Sequence, residues 1–196
     1  DEGFRVTVVE ANEQLADQLA LAAAASGHRL EVNRSRVEDV DQIAPSPAVV
    51  IAPMQFIHYL DPEDLPDVIT LLRDSGLPAP RIAISLLRDE LLLQGDRTLD
   101  ALPQMRDRDG WIFSSRITRM NCSHEQLGLV RLRESVGPEG QISVEEVTEK
   151  LWRLPTQRLT DLMGNAGYEL SSSHPLPTED GAIPADLLVF THKRSE

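Results

Sequence analysis

The sequence contains a single cysteine, Cys122, so no internal disulfide framework is available to it, and no Cys/His cluster surrounds that residue to give a zinc signature. A reducing, cytoplasmic compartment is the expectation. No apolar run approaches the roughly 20 residues that a membrane span needs, and the acidic opening Asp1-Glu2 is unlike the basic start of a signal peptide. Basic clusters are also missing. Nothing longer than Lys193-Arg194 occurs, and 32 acidic residues face 19 basic ones for a net charge of −13. That balance argues against a nucleic-acid groove or an anionic membrane surface as partner. His28, His58, His124, His174 and His192 are scattered without metal-ligand spacing, so no metal site is expected. None of the 11 glycines forms a Gly-x-Gly.

The chain of 196 residues fits one domain of the usual size, roughly 100–200 residues. Its organising stretch is Arg5 to Gly27. Arg5-Val6-Thr7-Val8-Val9 is a nearly unbroken β-branched run, as expected of a strand buried on both faces of a parallel sheet. It ends on Glu10. A helix is predicted from Glu13 to Ser26, capped by Asn12, with Leu15 and Leu19 at i, i+4 and Gly27 as its C-terminal glycine. In open α/β sheets ligands bind at the carboxyl ends of strands, where an acid commonly meets a ribose hydroxyl pair. Glu10 is therefore either such a ligand or a solvated loop carboxylate, with equal weight.

Arg29-Leu30-Glu31-Val32 alternates as a second strand, and Arg34 to Val40 is a polar loop. Pro45 and Pro47 precede a buried-strand run, Ala48 to Ala52, ended by Pro53. Asp61-Pro62-Glu63-Asp64 starts a helix with Leu65, Ile69 and Leu72 on its buried stripe, Pro66 weakening its first turns. Arg81 to Leu86 is a further strand. To this point β and α alternate, the signature of a parallel sheet with helices on both faces. The polar stretch containing Asp96, Arg97 and Met105-Arg106-Asp107-Arg108-Asp109 is expected to be a loop or lid. Trp111–Met120, Gln126–Arg133 and Gln141–Thr148 then form an antiparallel meander, Thr156 caps a helix bearing Leu159, Leu162 and Met163, and Tyr168–Ser171 and Asp186–Thr191 make a final antiparallel pair. The expected division within the single domain is 1–95, a cofactor-side α/β half, 96–150, an antiparallel insertion or cap, and 151–196, the final helix and hairpin.

Taken together, the strand ending on Glu10, the segments Arg36 to Val40, Ala48 to Leu60 and Arg81 to Ser85, and the Ala166-Gly167-Tyr168 exit from the last helix resemble the class I S-adenosylmethionine-dependent methyltransferases from their second strand onward. Gly110 to Arg116 and Leu132 to Gly140 resemble the inserted antiparallel cap of a bacterial small-molecule branch of that family. The resemblance implies a Rossmann-like, mostly parallel α/β sheet with a C-terminal antiparallel hairpin and an inserted β cap. It implies S-adenosyl-L-methionine as cofactor and a small-molecule methyl acceptor as partner. On this resemblance Glu10, with Ala11 beside it, meets the ribose. Arg36, Val37 and Glu38 lie at the adenine, although Arg36 stands where the family usually has an acid. Pro53, Met54 and Gln55 border the methionine half. His58 is the best candidate base, weighed at about one to two against a surface histidine, since histidine titrates near neutrality. Trp111 and Arg116 are candidates for the substrate pocket; Trp111 as core packing is equally expected, and Tyr59 is expected to pack.

The family's first strand ends in a glycine-rich loop, which lets backbone N–H groups approach the cofactor. This sequence has none, so it is expected to be an N-terminally truncated methyltransferase that binds cofactor poorly and, with one edge of Arg5–Val9 unpaired, self-associates. Three other classes compete. A non-catalytic binding module derived from the same fold would also lack the loop. A nicotinamide-dependent oxidoreductase would use an acid like Glu10 but fits the terminal hairpin poorly. A phosphorylation receiver domain needs an aspartate where Ala52 stands and a lysine after its fifth strand, and the only lysines are Lys150 and Lys193.

Overall fold

The computed structural model describes residues 5–27, 29–41, 43, 46–100, 102–177 and 183–193. His28, Pro45 and Arg194 lie outside the described residues. The chain separates into two compact units, Asp1–Ala48 with Glu63–Pro80, and Val49–Pro62 with Arg81–Glu196. The boundaries expected at 95 and 150 both fall inside the second unit.

In the first unit, β1 (Val6–Val9) pairs in parallel with β2 (Leu30–Asn33) across α1 (Glu13–Ser26), and α2 (Leu65–Asp74) completes it. The ends of α1 follow the sequence signals: Asn12 Oδ1 accepts the Leu15 N–H at 3.0 Å, and Gly27 turns left-handed at φ 70°. Only Ala16 and Ala23 of that helix are buried, while Leu15 and Leu21 are 44% and 70% exposed. In α2, Pro66 sits in the first turn, where its missing N–H is a donor the helix leaves free anyway, so it does not weaken the start.

The second unit contains a four-stranded sheet ordered β10 (Tyr168–Pro175), β11 (Ala185–His192), β4 (Arg81–Leu87) and β3 (Val49–Ala52). β3 and β4 are parallel, and β11 is antiparallel to both its neighbours. It is thus the one reversed strand of the four, and it lies inside the sheet with β10 at the edge. β4 is buried: Ile82 and Ile84 lie opposite Phe190 and Leu188 of β11, Leu86 and Leu87 are equally enclosed, and so are Leu159 and Met163 of α4 (Thr156–Asn165). Each such side chain contributes roughly 1.5–3 kcal/mol relative to exposure.

The polar stretch expected as a lid is instead strand. β5 (Arg97–Thr98) and β6 (Gln104–Arg108) both pair with β7 (Trp111–Cys122), and β7 continues through β8 (Gln126–Val136) to β9 (Ile142–Trp152). The β6–β7 link is Asp109-Gly110, at φ 53° and 79°, the two positive values that a tight hairpin turn demands. The meander docks through a cluster of Met120, Leu127, Leu129 and Leu151 on Leu87 and on Leu92 of α3 (Asp89–Leu92). The start of α4 also differs from expectation. Thr156 is its first residue, and the cap comes from Asp89, whose Oδ1 accepts the Thr156 N–H at 2.9 Å and its hydroxyl at 3.1 Å.

Among the described residues β1 pairs only with β2 and β3 only with β4. Val49 and Ile51 on one face of β3 are 52% and 65% exposed, and Val6 of β1 is 47% exposed.

Candidate functional site

Because β1 and β2 run parallel, their carboxyl ends open on the same edge of the first unit. The Glu10 N–H donates to the Asn33 carbonyl at 2.9 Å, which holds the two exits side by side. The Glu10 carboxylate is half-buried and accepts the Asn12 N–H at 2.8 Å. A carboxylate offers about four lone-pair sites, so this one bond orients it and leaves acceptors for a diol. Ala11, exposed beside it, has no side chain to obstruct that approach. The β2 exit leads into a 3-10 turn, Val37–Asp39, anchored by buried Val37. Arg36 donates to Glu38 at 2.6 Å. Partial burial pushes the Glu38 carboxyl up, but bonds from Arg36 and from its own backbone, with the Arg36 charge, outweigh it and hold the pKa below the ordinary value. The charged form of Glu38 is therefore favoured, and its Arg36 partner has a 65% exposed side chain. A separate open cleft of about 370 Å³ lies over the same strands, lined by Thr7, Val9, Glu31, Asn33 and Val40; Glu10 and Arg36 are not in its lining.

In the second unit the carboxyl end of β3 leaves through Pro53, Met54 and Gln55. Met54 and Gln55 have φ of 52° and 57°, a left-handed pair in residues other than glycine and so a strained turn costing roughly 1–2 kcal/mol per residue. Met54 is 81% exposed, and the Gln55 amide reaches back to the buried Ser85 hydroxyl at 3.5 Å. Phe56 and His58 donate their N–H groups to Pro53 and Gln55 carbonyls, closing a second 3-10 turn, Phe56–Tyr59.

His58 does not stand at the surface as a free base. Its ring is fully buried, with Nδ1 at 2.8 Å from the Trp152 carbonyl and Nε2 at 3.1 Å from the Leu87 N–H. A carbonyl only accepts and an amide N–H only donates, so Nδ1 carries the hydrogen and Nε2 gives its lone pair to Leu87. No lone pair is left for a substrate proton. Burial lowers the pKa, against smaller upward pulls from Trp152 and Asp89. His58 is a neutral cross-link between the β3 exit, β4 and β9.

The two proposed substrate residues part company on the meander. Directly opposed residues share a sheet face, and Phe113↔Ser135, Ser115↔Arg133, Ile117↔Arg131 and Leu129↔Glu149 place Phe113, Ser115, Arg131, Arg133 and Glu149 on the face that carries the Leu129–Leu151 core. Trp111 joins them by alternation and stacks on Phe113 with ring centroids 6.2 Å apart. Arg116 opposes Leu132, which in turn opposes Glu146, so it is on the other face, where its buried Nε has no hydrogen-bond partner.

Sequence reading missed what lies on the inner face. Arg131 Nε donates to Glu149 at 3.0 Å and its NH1 group lies 3.4 Å from the Ser115 hydroxyl, while Arg133 stands 3.7 Å from the same carboxylate. Tyr59, at the end of the β3 exit, lies beside Glu149; burial first, then the Glu149 charge, pushes its phenol up, so it stays protonated. The strand alternation was the available signal, since it puts residues 131, 133 and 149 on the core face as charges.

No protein-family model and no curated relative matches the sequence. Solved structures do. The chain superposes on an S-adenosylmethionine-dependent methyltransferase from Clostridium acetobutylicum with a TM-score of 0.75, at 7% identity, covering 96% of this chain and 75% of that one. The fold is that of the class I methyltransferases. The CcbJ methyltransferase from Streptomyces caelestis gives a TM-score of 0.69 at 17% identity, covering 98% of this chain and 76% of its own. An amino pentose methyltransferase from Micromonospora echinaspora gives 0.64 at 14% identity, with 95% and 74% covered. The final antiparallel pair and the antiparallel meander are those the sequence pattern anticipates, but β11 lies inside the sheet beside β4 rather than at its edge. Among the described residues no helix is long and apolar enough to cross a membrane.

Proposed function

We propose that this chain is the larger part of an S-adenosylmethionine-dependent methyltransferase acting on a small molecule. The observation that carries this reading is Glu10, oriented by Asn12 at the carboxyl edge of β1, in a chain with the methyltransferase fold. The residues fit the adenosine half of the cofactor. Glu10 supplies charged acceptors for the ribose hydroxyls, each bond contributing roughly 1.5–3 kcal/mol, and the Arg36–Glu38 turn supplies polar groups for the base. Met54 and Gln55, in the second unit, are assigned to the methionine half by the family resemblance alone. The glycine cradle for that half is not among these 196 residues, and in this reading it comes from sequence upstream of Asp1.

When bound, the cofactor supplies an activated methyl group, so the protein's task is to align the acceptor and exclude water. His58 takes no part in proton removal. Tyr59 and Glu149 are the titratable pair that lines the acceptor side, with Trp111 and Phe113 beyond them and Arg116 on the opposite face. A cytoplasmic location and self-association through the bare strands belong to the same reading.

Calorimetry with S-adenosylmethionine tests it. The upstream-extended chain is expected to bind in the micromolar range and Glu10→Ala to weaken binding at least about tenfold, while these 196 residues alone bind poorly. An extended chain that folds and shows no binding sinks the enzyme reading in favour of a non-catalytic binding module, which the missing Gly-x-Gly also fits.

A further inference from the structure

Besides Arg131 and Arg133, the meander face beside Tyr59 carries Arg106 and Arg108, opposite Phe113 and Trp111, against the carboxylates of Glu145 and Glu149. Arg131 is nearly four-fifths buried and takes Glu149 through Nε. Arg133, half-exposed, reaches the same carboxylate only at 3.7 Å, an ion-pair distance too long for a hydrogen bond. Glu145 opposes Arg133 in register, but the ion pair that Arg133 makes is with Glu149. Arg131 and Arg133 thus share the Glu149 carboxylate, and the Arg133 side chain is half-exposed. On a chain of net charge −13 this is a local inversion of sign. Next to it, Phe113 is 45% exposed and backed by Trp111. Phe113 opposes Ser135 while Ser115 opposes Arg133, so Phe113 and Arg133 are diagonal neighbours, within reach of aromatic and long side chains.

We propose that this face recognises the methyl acceptor and selects an aromatic molecule bearing an oxyanion, the ring lying on Phe113 and the carboxylate or phosphate held by the Arg133 fork. The assignment of the bound molecule as methyl acceptor rests on the methyltransferase reading; the binding chemistry does not. Planar bidentate contact is what a guanidinium offers an oxyanion and a neutral amide does not use. Tyr59 brings the β3 exit beside Glu149 on this face.

Ligand-observed NMR titration of the 196-residue chain at low salt, without cofactor, tests the proposal with three probes: benzoate, phenyl phosphate and benzamide. Benzoate or phenyl phosphate is expected to bind saturably, with benzamide at least about tenfold weaker; the ratio of the two anions names the oxyanion. Arg133→Gln is expected to lower anion affinity about tenfold, whereas Arg119→Gln, removing the same charge from the opposite face where Arg119 pairs with Glu146, leaves it unchanged. Benzamide binding as tightly as benzoate, no saturable binding by any probe, or equal losses in the two arginine variants overturns it. The wild-type probe comparison stands even if a variant fails to fold. Since no S-adenosylmethionine is present, a failure here is separate from a failure of the cofactor titration.

Discussion

Replacing His58 with phenylalanine isolates the cross-link at the β3 exit. A planar aromatic ring is kept, though a somewhat larger one, so the loss is chiefly that of two hydrogen bonds: the Trp152 carbonyl and the Leu87 N–H, at 2.8 and 3.1 Å from the imidazole, are left inside without partners. An orphaned buried group costs about 1–3 kcal/mol, so the variant is expected to lose about 2–6 kcal/mol. That is a large share of the ~5–15 kcal/mol that holds a domain together. His58→Asn, whose amide nitrogen stands in for Nδ1, is expected to recover part of it. The pH dependence supplies the sign. The folded-state pKa of His58 lies below its ordinary value, chiefly through burial, so the folded chain keeps the ring neutral while the unfolded chain takes up a proton below about pH 6.5. Its contribution is complete above that pH and is lost as pH falls toward the folded-state pKa, at up to about 1.4 kcal/mol per pH unit. Urea unfolding of both proteins at pH 7.5 and pH 5.5 is the assay. The gap between them is expected to narrow at pH 5.5. A gap below about 1 kcal/mol at pH 7.5, or one that widens on acidification, refutes the cross-link, as does an imidazole nitrogen spectrum showing the hydrogen on Nε2.

Three further outcomes follow from the geometry. Met54→Gly removes a left-handed strain of roughly 1–2 kcal/mol and adds about 0.5–1 kcal/mol of unfolded-chain freedom, so the urea midpoint is expected to rise slightly; a fall shows that the turn is unstrained. Asp89→Ala uncaps α4 and is expected to cost about 0.5–2 kcal/mol in the same experiment, with no change meaning that Thr156 is capped adequately without it. Sedimentation velocity of the 196-residue chain is expected to show concentration-dependent association through β1 and β3; a single monomer boundary at all loadings counts against exposed edges as an interface.

The parts of the fold that the sequence announced are those settled by neighbours along the chain. Asn12 and Gly27 delimit α1 by local bonds, and the alternating segments of the meander and the final hairpin need only the next strand. Strand β6 escaped because all five residues from Gln104 to Arg108 are exposed, so no alternation marks them and only Asp109-Gly110 betrays the turn. His58 and Asp89 were misread or passed over because their partners lie 94 and 67 positions away. The Glu10 edge was legible from one strand and one turn. The Arg131–Glu149–Tyr59 group was not, because a strand's alternation gives a face but not which charges meet across it.

The interior position of β11 sets an order of events during synthesis. Arg88 pairs with Asp186, 98 positions later, and β4 gains its second neighbour only when β11 exists. The meander closes through adjacent hairpins, whose short loops close quickly, whereas the β4–β11 junction carries the entropy of a very long loop. While a ribosome makes the next hundred or so residues, at roughly 5–20 residues per second, β4 waits with Ile82, Ile84 and Leu86 uncovered on that side.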